Sequence, residues 1–176
     1  MKKTTWIART AICLALLLAL QFATKGLGQL VTGSCVNLVL AMAALLGGVW
    51  SGLMVAALSP LFAWLLGIGP AFLQLVPCIA LGNVVYALLF GLLVRVLLKK
   101  RWVSGLIGMA AAAVLKFLIL YAVLVRLVAP QVVPAAKLAA VSAMFTWPQL
   151  ATALIGGVLA CLIAPVVFKA LAGKKT

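Results

Sequence analysis

Long apolar runs, separated by short polar or glycine-bearing stretches, occupy most of this chain of 176 residues. A helix that crosses a lipid bilayer needs about 20 mostly apolar residues. The interruptions delimit segments from about Trp6 to Phe22, Ser34 to Val49, Ser51 to Leu66, Ala71 to Leu98, Ser104 to Leu127 and Ala139 to Phe168. The pattern predicts an all-α polytopic membrane protein in which residues 1–176 form one domain of six transmembrane helices.

Glycine and proline mark the breaks between these segments. We expect a turn at residues 50–52 between the second and third spans, and a second break at residues 67–70 before the fourth. Pro77 should bend the first turns of the fourth span.

The first segment follows Lys2 and Lys3, and a basic start is also found in secretory signal peptides. No clear cleavage site precedes the polar Gln21. We therefore expect this segment to be retained as a transmembrane helix.

Composition agrees with a membrane protein: 68% of the residues are hydrophobic and 8% are charged, whereas about a quarter are charged in soluble domains. Lys and Arg number 14, and Asp, Glu and His are absent. This excludes carboxylate acid–base catalysis and a Ser-His-Asp triad, and leaves almost no ligands for a metal. We expect no enzyme activity, no metal and no cofactor. The basic residues flank apolar runs, so we expect a role at the lipid bilayer and no nucleic-acid binding.

Basic residues are unequally divided between the two sides of the predicted bundle. The side of the chain termini carries Lys2, Lys3, Arg9, Arg95, Lys99, Lys100, Arg101, Lys169, Lys174 and Lys175. The opposite side carries Lys25, Arg126 and Lys137. Because cytoplasmic loops are enriched in Lys and Arg, the distribution predicts that both termini are cytoplasmic.

Polar side chains within the spans concentrate toward the outer side. At about 1.5 Å per residue, Lys116 and Asn83 lie roughly 22 to 24 Å above the cytoplasmic end. Asn37 and Gln21 lie at roughly 18 to 20 Å, and Gln149 at roughly 30 Å. Such groups are costly in hydrocarbon unless they meet partners or water, which favours one shared cavity open to the outside. Separate interhelical hydrogen bonds or interface anchors are the alternative.

The inner half of the predicted bundle offers only hydroxyl and thiol groups, such as Thr10, Ser59, Thr152 and Cys161. A permease should carry further polar positions into this half, and the sequence lacks them.

Lys116 is the sharpest candidate for ligand binding. The chain has no acidic side chain to pair with its ammonium, so an anionic carboxylate or phosphate ligand is a plausible complement. Snorkelling of the side chain toward the outer surface is the alternative.

Further candidate contacts lie in the same outer band. Trp64, Tyr121 and Trp147 are aromatic groups suited to stacking on a flat ring, although such residues also anchor helices at interfaces. Lys25, in the polar stretch before the second span, and Gln74, after the Gly67–Pro70 break, belong to two connections that we consider as lids over the cavity.

Small residues line one face of the first helix. Ala8, Ala11, Ala15 and Ala19 recur at spacings of three and four residues, which allows another helix to approach closely. The partner is either a helix of the same bundle or a second protein.

The chain resembles the S components of energy-coupling factor (ECF) transporters, which capture vitamins in bacteria. The resemblance covers nearly the whole chain and includes six spans, a basic N-terminus and the AxxxAxxxA run from Ala11 to Ala19. The strings GSCVNLVLAMAALLGGVWSG, LSPLFAWLLGIGPAFLQLVP and MFTWPQLATALIGGVLA are similar to segments of substrate-unassigned members.

The resemblance implies a multi-pass protein of the bacterial inner or plasma membrane that binds a vitamin-like molecule. It implies docking, through the alanine face, onto a transmembrane T subunit that works with two cytoplasmic ATPases. Nickel or cobalt binding is excluded because the chain has no His. A stand-alone small-solute permease and a ligand-free membrane scaffold remain the competing functions.

Overall fold

Helices form all of the regular structure in residues 3–94, 96–97 and 102–172, the ranges that the computed structural model describes. The α-helices are α1 (Lys3–Thr24), α2 (Gln29–Gly47), α3 (Val49–Leu65), α4 (Val76–Leu89), α5 (Trp102–Ile119), α6 (Ala129–Val132), α7 (Ala135–Met144) and α8 (Trp147–Ala172). Single 3-10 turns at Lys25–Leu27 and Leu73–Leu75 precede α2 and α4. Two π-helical segments, Phe90–Val94 and Leu120–Val128, continue α4 and join α5 to α6. The prediction of an all-α fold is confirmed.

Five helical segments in the described ranges are long and apolar enough to cross a membrane: Lys3–Leu27, Gln29–Gly47, Leu73–Val94, Trp102–Val132 and Ala135–Ala170. The sixth, α3, is an apolar helix of 17 residues. It measures about 25 Å at 1.5 Å per residue, a little less than the roughly 30 Å of a hydrocarbon core. The predicted six-helix membrane bundle is therefore confirmed.

The orientation of the bundle stays a prediction. Lys3, Arg9 and Lys169 lie on described helices at the end of the bundle that carries the chain termini. The other basic residues that favour cytoplasmic termini lie outside the described residues: Lys2, Arg95, Lys99, Lys100, Arg101, Lys174 and Lys175.

Helix α2 lies at the centre of the bundle and packs against α1, α3, α4 and α8. Its inward face is rich in alanine, and Leu40 and Leu45 are fully buried. By contrast, only 6% of the residues in the apolar stretch of the first span are buried, whereas 44% are buried in that of α2. Helix α1 is therefore a peripheral helix that leaves most of its surface for lipid or another protein.

The turn between the second and third spans lies earlier than the sequence predicts. Gly48 adopts a φ of 87°, which favours glycine, and α3 already begins at Val49. Gly52, expected in the turn, lies inside α3, where an added Cβ would lie 2.7 Å from the Cβ of Ala44. The absence of a side chain at residue 52 lets α2 and α3 pack closely.

The last predicted span also needs correction. Residues 135–144 form the separate helix α7, and the final helix begins at Trp147 instead of Ala139. Pro148 has no N–H to donate to the Met144 carbonyl, so a continuous helix is disfavoured there. The side-chain amide of Gln149 donates to that carbonyl instead, at 3.2 Å.

Pro77 occupies the first turn of α4, where its missing N–H would have no partner within the helix. The expected fourth span thus starts regularly at Val76, after the 3-10 turn, and not at Ala71.

Candidate functional site

A cavity of about 400 Å³ opens at one end of the bundle. We call this the distal end; it carries the α1–α2 and α3–α4 connections and lies opposite the end that carries the chain termini. The polar wall of the cavity consists of Gln21, Lys25, Gln29, Thr32, Asn37, Ser59, Asn83, Lys116 and Gln149. The apolar wall includes Val36, Ala63, Ile68, Phe72, Leu75, Ile79, Val141, Met144 and Phe145. A mostly apolar pocket with a few convergent polar groups is the usual form of a small-molecule site.

Lys116 of α5 is the central polar group of this wall. Its side chain is only 2% exposed. Its Nζ donates to Oδ1 of Asn37 at 2.5 Å and to Oδ1 of Asn83 at 2.7 Å. Two neutral amides from α2 and α4 therefore hold the ammonium, which rules out the predicted alternative in which Lys116 snorkels to the surface.

The ring of Tyr86 completes the surroundings of the ammonium. The ring centroid lies 5.3 Å from Lys116 Nζ, within the range of a cation–π interaction. The Tyr86 hydroxyl donates to the Ala153 carbonyl at 2.8 Å, which fixes the ring between α4 and α8. The ammonium is thus contacted by side chains of α2 and α4.

Asn37 is itself positioned by two further hydrogen bonds. Its Nδ2 donates to the Gly33 carbonyl at 2.9 Å and to Oγ1 of Thr152 at 3.2 Å. The side chain of Asn37 is short, so it can reach Thr152 only because α2 and α8 lie close together. Gly156 permits that approach, since a Cβ there would lie 2.7 Å from the Ser34 carbonyl and the Leu38 nitrogen.

Thr152 corrects the predicted polarity of the inner half of the bundle. It contacts Asn37 and accordingly lies at the level of the cavity. Ser59, also assigned to the inner half, lines the cavity as well. Ser59 and Thr152 therefore lie beside the cavity and its polar wall and not in a separate inner half.

Both predicted lid connections border the cavity. The Nε2 of Gln21 donates to the Ile68 carbonyl at 3.3 Å, which links α1 to the α3–α4 connection. Lys25 Nζ lies 4.4 Å from the centroid of the Phe22 ring. Thr32 donates to the Thr24 carbonyl at 2.7 Å, which ties the start of α2 to the end of α1. These contacts define the rim of the cavity.

Six of the ten predicted ligand-binding residues line this cavity: Gln21, Lys25, Asn37, Asn83, Lys116 and Gln149. Four do not: Trp64, Gln74, Tyr121 and Trp147.

Each of the four excluded residues lies at the distal end but points elsewhere. Gln74 is exposed in the 3-10 turn before α4. Tyr121 stacks on Phe117 at 6.0 Å, with 38% of its surface exposed, and Trp147 is 64% exposed. On α3 the cavity wall is formed by Ser59, Pro60 and Ala63, and Trp64 is not among the lining residues.

The residues missed by the sequence prediction are mainly Ser59 and the aromatic pair Phe72 and Phe145. Phe72 and Phe145 lie in the connections before α4 and α8. Outside a helix, no regular spacing of residues indicates which way a side chain points. The signal for Ser59 was its position before Pro60 in an otherwise apolar helix.

The fold and the cavity define a polytopic helical membrane protein with a buried lysine in the wall of a cavity at one end of the bundle. A family model described as "ECF transporter, substrate-specific component" matches residues 6–168. The chain belongs to this family and is a substrate-specific subunit of an ECF transporter. No curated protein and no solved structure matches the chain.

Membership defines the protein's general role. The family comprises substrate-binding subunits of transporters and not enzymes, and it implies a small-molecule substrate and partnership with T and ATPase modules. The chain is accordingly a multi-pass membrane protein of a transport system.

Proposed function

We propose that this chain captures a vitamin-like molecule, neutral or anionic, in the cavity at the distal end and delivers it to an ATP-driven importer of the bacterial plasma membrane. In this proposal the distal end faces outward and both termini face the cytoplasm, as the distribution of basic residues predicts. The binding residues are those predicted residues that line the cavity, with Lys116 at their centre.

The observation that carries the proposal is the buried Lys116 ammonium. Burial of an ammonium in the membrane interior costs free energy, and such groups usually belong to a functional site. Asn37 and Asn83 supply acceptors but no negative charge. Since the chain contains no acidic residue, an anionic ligand would supply the negative charge that the chain itself does not offer to Lys116.

The exposed alanine face of α1 supports docking onto a T subunit that works with two cytoplasmic ATPases. Ala8, Ala11, Ala15 and Ala19 are all exposed. Helix α1 contributes few buried residues to its own bundle, and small side chains allow close helix–helix approach in lipid. The alternative is that this face packs against a helix of the same bundle. That alternative does not explain why these four alanines are exposed.

A thermal-shift screen of the purified full-length chain against a panel of vitamins and related metabolites tests the capture function. We expect one compound, or one closely related group, to raise Tm in proportion to the logarithm of its concentration above Kd. Isothermal titration should then give a stoichiometry near one.

Two results would point to the competing functions. Transport of a solute by the chain alone in vesicles, without ATPase partners, would identify a permease. A chain that no compound stabilises, but that still assembles with membrane partners, would be a scaffold, and the capture proposal would be wrong.

A further inference from the structure

Ser59 of α3 carries a buried hydroxyl that the fold does not use. The residue is 2% exposed and lines the cavity. Its Oγ has no hydrogen-bond partner among the described residues. A buried hydroxyl without a partner costs free energy, so a polar group that completes it stabilises the bound state.

Hydroxyl groups at other helical positions of this chain do have hydrogen-bond partners, unlike that of Ser59. Thr10, Thr24 and Ser34 each donate to the carbonyl four residues earlier, at 2.9, 2.7 and 2.6 Å. This back-bonding is the ordinary solution for Ser and Thr inside a helix. Ser59 makes no such bond to Val55, so its hydroxyl remains available to the cavity.

Two other groups of the same wall retain donor capacity. An ammonium has three N–H donors, and Lys116 uses two of them on Asn37 and Asn83. The Nδ2 of Asn83 donates to no described residue, because only its Oδ1 is engaged. The cavity therefore offers three donors: an N–H of Lys116, an amide N–H of Asn83 and the hydroxyl of Ser59.

We propose that Ser59 is a ligand-binding residue and that the ligand presents a carboxylate to Ser59, Lys116 and Asn83. A carboxylate is a pure acceptor with two oxygens, and its single charge matches the one buried ammonium. The rest of the ligand contacts the apolar wall around Phe72 and Phe145. The inference rests on the proposed capture function and narrows its substrate to small monocarboxylic acids with an apolar body.

The first test compares carboxylic acids with their uncharged counterparts on the wild-type chain. Suitable pairs are nicotinate and nicotinamide, lipoate and lipoamide, and pantothenate and pantothenol. We expect an acid to raise Tm and its neutral counterpart to have at least a ten-fold weaker Kd. Stabilisation by the neutral member alone, or by a phosphorylated compound alone, would overturn the carboxylate assignment.

The second test measures the stabilising acid on Ser59→Ala. Removal of an unpaired hydroxyl should leave the Tm of the free protein unchanged or higher, whereas the Kd for the acid should weaken roughly ten- to hundred-fold. Ser59→Cys, which keeps the volume but hydrogen-bonds poorly, should give a smaller loss of affinity. Unchanged affinity in both variants would overturn the assignment of Ser59.

Ser51→Ala is the matched control on the same helix. Ser51 is fully buried but outside the cavity wall, and its hydroxyl donates to Oγ1 of Thr10 at 2.9 Å. Its replacement should leave the Kd for the acid unchanged. An equal loss in Ser51→Ala and Ser59→Ala would show a general effect of α3 and would also overturn the inference.

The two proposals fail in different ways. If no compound stabilises the wild-type chain, the capture function fails. If an acid stabilises wild type and Ser59→Ala equally, capture stands and the role of Ser59 is wrong.

Discussion

Lys116 on α5 donates a hydrogen bond of 2.5 Å to Asn37 on α2, although 79 residues separate them along the chain. Asn37 is held in turn by Thr152 on α8, and Lys116 also contacts Asn83 on α4. Four helices thus meet at one ammonium. Some substitutions at this junction should therefore change mainly ligand affinity, and others mainly the packing of the helices.

Replacement of the ammonium itself is the most direct change. In Lys116→Met the apolar chain length is kept, but the positive charge is lost. We expect Kd for an anionic ligand to weaken at least ten-fold, or by about 1.4 kcal/mol, because charge-assisted hydrogen bonds contribute about 1.5 to 3 kcal/mol. Isothermal titration measures the affinity, and Lys137→Met on the exposed face of α7 is the control. Retained affinity in Lys116→Met would contradict the anionic site.

A carboxylate built into the wall should compete with the ligand. Asn83→Asp puts an anion beside Lys116 and breaks no other hydrogen bond, because only Oδ1 of Asn83 is engaged. The resulting pair should stabilise the free protein by about 1 kcal/mol or more, because a lone buried charge is costly. The same variant should lose binding of carboxylates. Thermal unfolding and titration measure the two opposite effects.

The control for this substitution is Gln74→Glu, which adds the same charge on an exposed residue outside the cavity wall. It should leave Tm almost unchanged. A loss of Tm in Asn83→Asp together with intact binding would mean that the ammonium has no anionic counterpart.

The sequence predicted the class of fold because lipid imposes a simple rule: apolar runs of sufficient length become spans. It placed Lys116, Asn83 and Asn37 at a common height because a helix rises evenly along its axis. Lys116 hydrogen-bonds to both asparagines, so the three side chains lie together in the structure.

The side of the helix on which a residue lies was much harder to predict than its height along the helix. Trp64 and Tyr121 lie near the expected height, but neither lines the cavity. In a soluble helix, polarity distinguishes the buried face from the exposed one, whereas in lipid both faces are apolar. The same uniformity hid the break between α7 and α8, where only Thr146 and Pro148 interrupt an apolar run.

Close packing of α2 on α8 should be as important as the polar groups themselves. Gly156→Ala would bring a Cβ within 2.7 Å of the backbone of α2 and of the Asn37 Cβ. Since the backbone cannot yield locally, we expect a loss of about 1 to 3 kcal/mol in the free energy of unfolding, typical of overpacking. Ligand affinity should fall as well, because Asn37 moves.

Gly26→Ala is the control for this change, as an added Cβ there has no neighbour within 4 Å. Its Tm should match that of the wild type. Unfolding in a fixed detergent with a reversible denaturant gives the comparison. If Gly156→Ala retained both Tm and affinity, the α2–α8 contact would not position Asn37.

The exposed alanine face of α1 should matter for assembly but not for capture. Ala11→Leu combined with Ala15→Leu enlarges two exposed side chains that form no part of the cavity wall. We expect the double variant to keep the ligand-induced rise in Tm, yet to lose co-purification with the T subunit and ATPases and to lose uptake. Ala111→Leu, an equal enlargement on the exposed face of α5, is the control and should retain all three properties. If the double variant assembled normally, the docking surface would lie elsewhere; if it lost ligand binding, α1 would serve the cavity and not the partner.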